Sequence, residues 1–360
     1  MKIPLHVKMR KKFREYLYKL LAQVKPTKPM LHTIDKTEIK SIIIIRPNYR
    51  IGNLIFLTPL INELQKELPD VKIDLIVGMK LAGDILQEMP NVEHVISISR
   101  ELLLHPLKML QLIKTTRTKH YDVALNISAG SLSSEIVTAF VNAKYKASFE
   151  SEKTLISLTH SVKYEHFYTH SGSRPLELLK LFNIELPSQE LELDIKLNET
   201  EKKIAQQELY TLLKNNNLQH NTKIISLFRN ARFDKKISDE WWNEWHQELL
   251  QLDNEIILID ILSPDIITKL NENVLEYSNK NLRILGAFFA HTNLYVSADT
   301  GPLHLSCASN APTLALFNKT NPAIYGTLGK QNKTLDINQL SPKEVAKLTY
   351  THLQEQRENI

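Results

Sequence analysis

The stretch Ala290 to Phe317, AHTNLYVSADTGPLHLSCASNAPTLALF, leaves this chain few ways to fold. Asn293 to Ser297 is a short apolar run, read as a buried strand. Asp299-Thr300-Gly301-Pro302 then turns the chain. Thr300 suits a helix N-cap, and Pro302 suits the first helical turn because its missing N–H would be unpaired there anyway. The helix should end near Asn310, before Pro312, and Thr313 to Phe317 reads as the next strand. This compact βαβ unit sets Asp299 at the carboxyl end of a strand, beside free N–H groups at a helix start. Open α/β sheets bind ligands at that edge, and a helix N-terminus favours phosphate. Such turns also occur without ligands, so both readings stand at this point.

The rest of the chain repeats the plan. Ser41 to Ile45, SIIII, is the continuous β-branched run expected of a central parallel strand. A loop over Arg46 to Gly52 follows, then a helix from about Asn53 to Leu68 and a strand over Val71 to Val77. Next come a helix from about Leu81, a strand near His94 to Ile98, a helix from about Glu101 to Thr116 and a strand at Asp122 to Ile127. Ser148 to Ser173 reads as irregular, Arg174 to Phe182 as a helix, and Pro187 to Leu197 as the passage between domains. Lys223 to Phe228 opens the second half as a strand. A basic loop follows with Arg229, Asn230, Arg232, Lys235 and Lys236, then a helix with Trp241, Trp242 and Trp245. A strand over Glu255 to Ile259 ends at Asp260. A helix over Pro264 to Tyr277, the segment Leu282 to Leu285 and the βαβ unit complete the half, and Pro342 to Gln354 forms a final helix. Strands alternating with helices argue for doubly wound parallel sheets. No G-x-G-x-x-G follows the first strand, so the dinucleotide fingerprint is absent and an oxidoreductase is disfavoured.

A length of 360 residues fits two such domains. We place a basic amphipathic helix at 1–35, a Rossmann-like domain at 36–186, a second at 187–340 and a closing helix at 341–360. No apolar run reaches the roughly 18 residues that span a bilayer. The basic start is not followed by the apolar segment and cleavage site of a secretory signal. Cys307 is the sole cysteine, which excludes an internal disulfide and fits a reducing cytoplasm. On the short helix after Gly301 it reads as a buried structural thiol.

The net charge of +5 is concentrated at one end. Up to Met30, nine basic residues stand against Glu15 alone, so this segment carries +8 and the remainder −3. A uniformly basic nucleic-acid binder would not show this pattern. Phe13, Leu17, Leu20, Leu21 and Val24 share one helical stripe, with Lys11, Lys12, Arg14 and Lys19 largely off it. The segment is open to three readings, a peripheral anchor on anionic lipid, a helix docked on its own domain or, more weakly, an arm binding nucleic acid, and the concentrated charge favours the first. His160, His166 and His170 lack a carboxylate or cysteine to complete a ligand set, so no metal is expected.

D-T-G-P-L-H-L, followed by a small-residue helix and A-P-T-L-A-L-F, resembles the signature of glycosyltransferase family 9, the lipopolysaccharide heptosyltransferases. The resemblance extends over roughly residues 40 to 330. It implies a GT-B architecture: two Rossmann-like domains facing a cleft, the first on the acceptor side and the second binding a nucleotide-sugar. It implies an inverting transferase that moves heptose from ADP-heptose to a lipid-linked or core oligosaccharide. The partners implied are that donor, that acceptor and an anionic membrane surface, at the cytoplasmic face of the inner membrane, with no cofactor beyond the donor.

Such a transferase must neutralise the diphosphate leaving group, orient the sugar and help the attacking hydroxyl lose its proton. For the first need, the family's basic residue before a W-P pair corresponds to Lys235, although W-P here reads Ile237-Ser238. Arg232, Asn230, Thr300 and Gly301 complete the expected diphosphate side. For the second, Asp299 resembles the family aspartate that holds donor hydroxyls and His304 its motif histidine. Asp260 could accept from a ribose or sugar hydroxyl, or cap the next helix. The third need exposes a departure. The family pattern R-P-x-R-x-G-D appears as Arg46-Pro47-Asn48-Tyr49-Arg50-Ile51-Gly52-Asn53, with Asn53 where the family's proposed base, an aspartate, stands. An amide can orient a hydroxyl but cannot take its proton. Arg50, Gly52 and Asn53 are expected to face the acceptor. Asn53, Lys235 and Asp299 are the expected catalytic set. The alternatives are another base, a different donor or acceptor, or a family member that binds without catalysing.

Overall fold

The computed structural model describes residues 12, 16, 33–99, 105–152, 154, 156–188, 191–218, 223–231, 233–263 and 269–358. Of the basic N-terminal segment only Lys12 and Tyr16 are described, both exposed, so the helix expected there lies outside these residues, as does Arg232.

Among the described residues the chain forms two compact units. The first comprises residues up to Arg50, Leu60–Tyr168 and Ser173–Pro187. The second comprises Ile51–Pro59, Thr169–Gly172 and the chain from Ser188 onward.

The first unit is built on β1 (Ser41–Arg46), β2 (Lys72–Val77), β3 (Val92–Ser97), β4 (Tyr121–Asn126), β5 (Ala143–Phe149) and β6 (His160–Val162). They form one sheet in the order β3-β2-β1-β4-β5-β6, and every pairing is parallel. β1 is central, with Ile42 to Ile45 wholly buried, because a strand flanked on both sides and covered on both faces has no polar face to keep.

The second unit repeats the topology with β7 (Lys223–Phe228), β8 (Ile256–Ile261), β9 (Leu275–Tyr277), β10 (Leu294–Ala298), β11 (Thr313–Phe317) and β12 (Lys333–Asp336). Its order is β12-β11-β10-β7-β8-β9, all parallel. Read from β9, both sheets run 3-2-1-4-5-6, the doubly wound order of dinucleotide-binding folds.

The intervening α-helices are α1 (Ile51–Ile55), α2 (Thr58–Glu67), α3 (Lys80–Gln87), α4 (Pro106–Thr118), α5 (Leu132–Phe140), α6 (Glu199–Asn215), α7 (Asp239–Leu252), α8 (Leu282–Ala290), α9 (Gly301–Ala308), α10 (Pro322–Tyr325) and α11 (Pro342–Glu358). None in the described residues is long and apolar enough to cross a membrane.

Several elements differ from the sequence expectation. The single helix over Asn53 to Leu68 is two, α1 and α2, because Pro59 lacks an N–H and is tolerated only in a first helical turn. Leu275–Tyr277 is an edge strand, where a helix was expected through Tyr277; three residues are too few to show alternation. Leu282 to Leu285 opens helix α8, which Asn281 caps by accepting from the N–H groups of Arg283 and Ile284. The segment read as irregular contains β6, and Arg174–Phe182 is a 3-10 helix closed by Asn183 at φ 53°.

The tryptophan-bearing helix α7 explains much of the second core. Ser238 caps it, accepting from the Trp241 N–H at 3.2 Å. Trp242 and Trp245 are wholly buried and meet edge to face at 5.3 Å. The Trp245 indole donates to Thr349 Oγ1 at 3.2 Å, so α11 packs on α7 in the same unit.

Arg283 ties three segments of that unit together. Its guanidinium is 3% exposed and binds both oxygens of Glu201 on α6, at 2.5 and 2.9 Å. It also donates to the Ile195 and Lys196 carbonyls at 2.9 Å each. Glu201 in turn accepts from the Asn198 N–H in the α6 capping box. Removing one partner of a buried pair strands the other charge, so Arg283→Ala should lower stability by about 3–5 kcal/mol. Arg283→Met with Glu201→Leu should recover most of this, short of about 1 kcal/mol for the lost cap. Urea unfolding midpoints test both; an unchanged midpoint for Arg283→Ala would remove the pair from this role.

Candidate active site

The site is assembled in the second unit, where α1 lies against α9. The two short helices approach closely because each presents a glycine. A Cβ on Gly52 would stand 2.3 Å from His304 Cδ2, and one on Gly301 3.1 Å from Ile51 Cβ. Thr300 caps α9 in extended conformation, its side chain accepting from the Leu303 N–H at 3.4 Å, and Pro302 occupies the first turn. Both follow from the turn chemistry of D-T-G-P.

Asp299 follows directly on β10 and is the electrostatic centre. Its Oδ2 accepts from Lys235 Nζ and from Thr320 Oγ1, each at 2.5 Å. His304 Nε2 lies 3.8 Å from Oδ1. The Asp299 side chain is 9% exposed and that of Lys235 26%, so the pair is accessible mainly from the lysine side. The Lys235 carbonyl also accepts from Asn318 Nδ2 at 3.4 Å.

His304 is a neutral imidazole. Burial, opposed by Asp299 and reinforced by His170 and Lys235, pushes its pKa down to about 4. Its Nδ1 is buried with no hydrogen-bond partner among the described residues, so a proton there would be unsatisfied. A proton on Nε2 faces Asp299 instead, and this tautomer is the cheaper one. Phe56 packs edge-on against His304 at 4.5 Å and against His170 at 5.2 Å. His170 accepts at Nδ1 from the Gly172 N–H and donates through Nε2 to the Gly326 carbonyl, both at 3.0 Å.

The structure therefore brings Gly52, Asn53, Lys235, Asp299, Thr300, Gly301 and His304 into one unit. Asn53 is half-buried in α1, and its amide has no hydrogen-bond partner among the described residues. Arg50 is exposed and counts with the first unit; its N–H donates to Asn48 Oδ1 at 3.0 Å. Asn230 donates to Ser263 Oγ at 2.9 Å. Asp260 is wholly buried within β8, and its Oδ2 accepts from Arg229 at 2.7 Å. Burial still holds the Asp260 carboxyl above its ordinary pKa, and Oδ1 has no partner among the described residues.

Sequence reasoning missed Thr320, Phe56 and His170. Thr320 sits in an unpatterned loop after β11, and no local signal marks it. Of the three histidines of the 148–173 region, His160 and His166 belong to the first unit and His170 to the second. His160 lies beside Thr159 and Tyr145, His166 beside Tyr164, and His170 in the site just described. Cys307 is buried, and burial pushes its thiol up to about 12, as a structural cysteine requires.

Two units of identical strand order, with an aspartate, a lysine and a capped helix start at the carboxyl edge of the second, define the GT-B class of glycosyltransferase. The profile of glycosyltransferase family 9 (heptosyltransferase) matches residues 109–353, and the chain belongs to that family. It is a glycosyltransferase. It is 23% identical over 292 residues to lipopolysaccharide heptosyltransferase 3 of Escherichia coli, covering 75% of this chain and 81% of that protein. Among solved structures it is similar to a family 9 glycosyltransferase from Veillonella parvula, with TM-score 0.71, 16% identity and coverage of 88% of this chain and 97% of that one. It is likewise similar to E. coli heptosyltransferase WaaC solved with ADP, with TM-score 0.69, 18% identity and coverage of 87% and 99%. The profile match begins at Met109, so the Arg46–Asn53 motif lies outside it.

The helix contact yields a direct test. Gly52→Ala gains about 0.5–1 kcal/mol of helix preference, but the overlap with His304 should outweigh it and destabilise by about 1–3 kcal/mol. In a double-mutant cycle, His304→Ala should absorb part of that loss. Strict additivity by thermal unfolding would mean that the two side chains do not meet.

Proposed function

We propose that this protein is an inverting transferase that moves heptose from ADP-heptose to a lipopolysaccharide core acceptor. One observation carries the reading: an accessible lysine and a nearly buried aspartate joined at the carboxyl edge of β10, beside the capped start of α9. The solved relative with ADP and the curated relative's name support the choice of nucleotide and acceptor class.

In this reading Lys235 turns from Asp299 to the diphosphate and neutralises the charge that grows on the leaving group. The Thr300–Gly301 helix start adds N–H donors to the same anion. Asp299, still held by Thr320 and flanked by His304, then has an oxygen free for a sugar hydroxyl. Asn53 orients the acceptor hydroxyl without taking its proton, so bond breaking to the leaving group runs ahead of proton loss. Arg50 and Arg232 contribute positive charge on the acceptor and donor sides. Asn230 and Asp260 act through Ser263 and Arg229, their observed partners. No cofactor beyond the donor takes part.

The test is mass spectrometry of products from ADP-heptose, other nucleotide-sugars and a panel of core acceptors. Wild type should form a heptosylated product with ADP-heptose. Lys235→Ala should weaken ADP binding by about 1–3 kcal/mol, the range for losing a charged hydrogen-bond partner. Asn53→Asp should leave kcat unchanged or lower it, because Arg50, Gly52, Asp299 and Gly301 all keep the family pattern around an amide. A wild type inactive on every acceptor, with an active Asn53→Asp, would overturn the assignment of Asn53. Product from a different donor only would overturn ADP-heptose.

We further propose that the +8 segment up to Met30 holds the protein on the anionic inner face of the inner membrane. Deleting residues 1–27 should sharply reduce co-sedimentation with anionic vesicles and leave the melting temperature unchanged. Equal sedimentation of the truncated chain would refute this role.

A further inference from the structure

Helix α4 of the first unit presents a face that none of the described elements covers. Leu107 is 81% exposed and Leu110 61%. They stand three residues apart, so they lie side by side on one helix face and form a contiguous apolar patch. Gln111, Lys114 and Thr118 continue the same stripe, with Lys108, Thr115 and Arg117 at its margins, and all are exposed. The opposite face is anchored: Leu112 and Thr116 are buried, and Leu112 joins a core cluster with Val137 and Val141. The exposed leucines are therefore not a poorly docked helix.

The charge on this face has one sign. α4 carries Lys108, Lys114 and Arg117 and no acidic residue. None of the three has a carboxylate within salt-bridge distance among the described residues. The positive field extends onto the end of α5. There Arg117 Nε donates to the Phe140 carbonyl at 3.4 Å and Lys146 Nζ to the Ala139 carbonyl at 2.6 Å. Phe140 itself is 38% exposed. Lys146 is held below its ordinary pKa by burial and by the charge of Arg117, which marks crowded, unneutralised cations.

We propose that α4, with the C-terminal end of α5, is a membrane-docking face that rests on an anionic lipid surface. Leu107 and Leu110 enter the boundary between headgroups and acyl chains, and Lys108, Lys114 and Arg117 meet lipid phosphates. This is how an interfacial helix binds: apolar area supplies insertion, and cations supply attraction to the leaflet. A second copy of the chain is a poor occupant, because a two-fold contact would set these lysines against their own counterparts with no acid between them. The face is separate from the basic N-terminal segment and independent of the donor and acceptor chemistry.

The experiment uses the full chain with Leu110→Cys carrying an environment-sensitive fluorophore; the only other thiol, Cys307, is buried. Vesicles of phosphatidylglycerol and phosphatidylcholine should shift the emission to the blue. Phosphatidylcholine alone should not, and added salt should reverse the shift. Leu107→Gln with Leu110→Gln, and separately Lys108→Gln with Lys114→Gln, should each weaken vesicle partitioning by about tenfold. Melting temperature and product formation on a detergent-solubilised acceptor should stay unchanged. Three outcomes overturn the proposal: a label still in water while the protein sediments, double variants that bind like wild type, or a chain that binds no vesicles. A blue shift that follows protein concentration without lipid would assign the face to self-association instead. Loss of transferase activity on every acceptor would not move these readouts, so failure of the transferase reading stays distinguishable.

Discussion

Everything in the site depends on how closely α1 can lie on α9. Helix axes normally keep side chains between them, but Gly52 and Gly301 remove two of these, and the His304 ring and the Ile51 side chain fill the space. A methyl group at Gly52 would overlap the imidazole. The D-T-G-P-L-H-L turn and the Ile51-Gly52 pair are thus halves of one packing arrangement within the second unit, although they stand far apart in the sequence. It fixes His304 beside Asp299, and it sets Asn53 one residue beyond the glycine that touches His304.

Around that contact the electrostatics are arranged for a single negative charge. Asp299 is nearly buried and is stabilised by one cation and one hydroxyl, with a neutral histidine behind it. The partnership with Lys235 is strong but not sealed, since the lysine keeps a quarter of its surface in water. A buried carboxylate that lost its cation would be costly. Thr320 and the edge of His304 moderate that cost, so the loss of Lys235 would leave Asp299 partly compensated.

Asp260 and Arg229 show the contrasting case. Their pair is buried on both sides, at 0% and 3% exposure, and Arg229 reaches Asp239 as well. Such a pair positions backbone and neighbouring loops. The difference between the two aspartates is burial, since both lie toward the carboxyl edge of the same sheet and both meet a cation.

Much of the architecture was legible in the chain itself, because it rests on short-range rules. The β-branched run of Ser41 to Ile45 identified a central strand, the turn residues at Asp299 to Pro302 identified a capped helix, and alternation of period identified two parallel sheets. Asp299, Lys235 and His304 were legible because each sits in a local motif. Short edge strands such as Leu275–Tyr277 were not, since three residues carry no period. Tertiary structure alone decided that residues 51–59 and 169–172 fold with the second unit, and that Thr320 and Lys235 share one oxygen of Asp299. It alone decided which aspartate is accessible and that His304 stays neutral. Periodicity and capping act between neighbours in sequence, whereas ion pairing, desolvation and close helix approach act between residues brought together only by the fold.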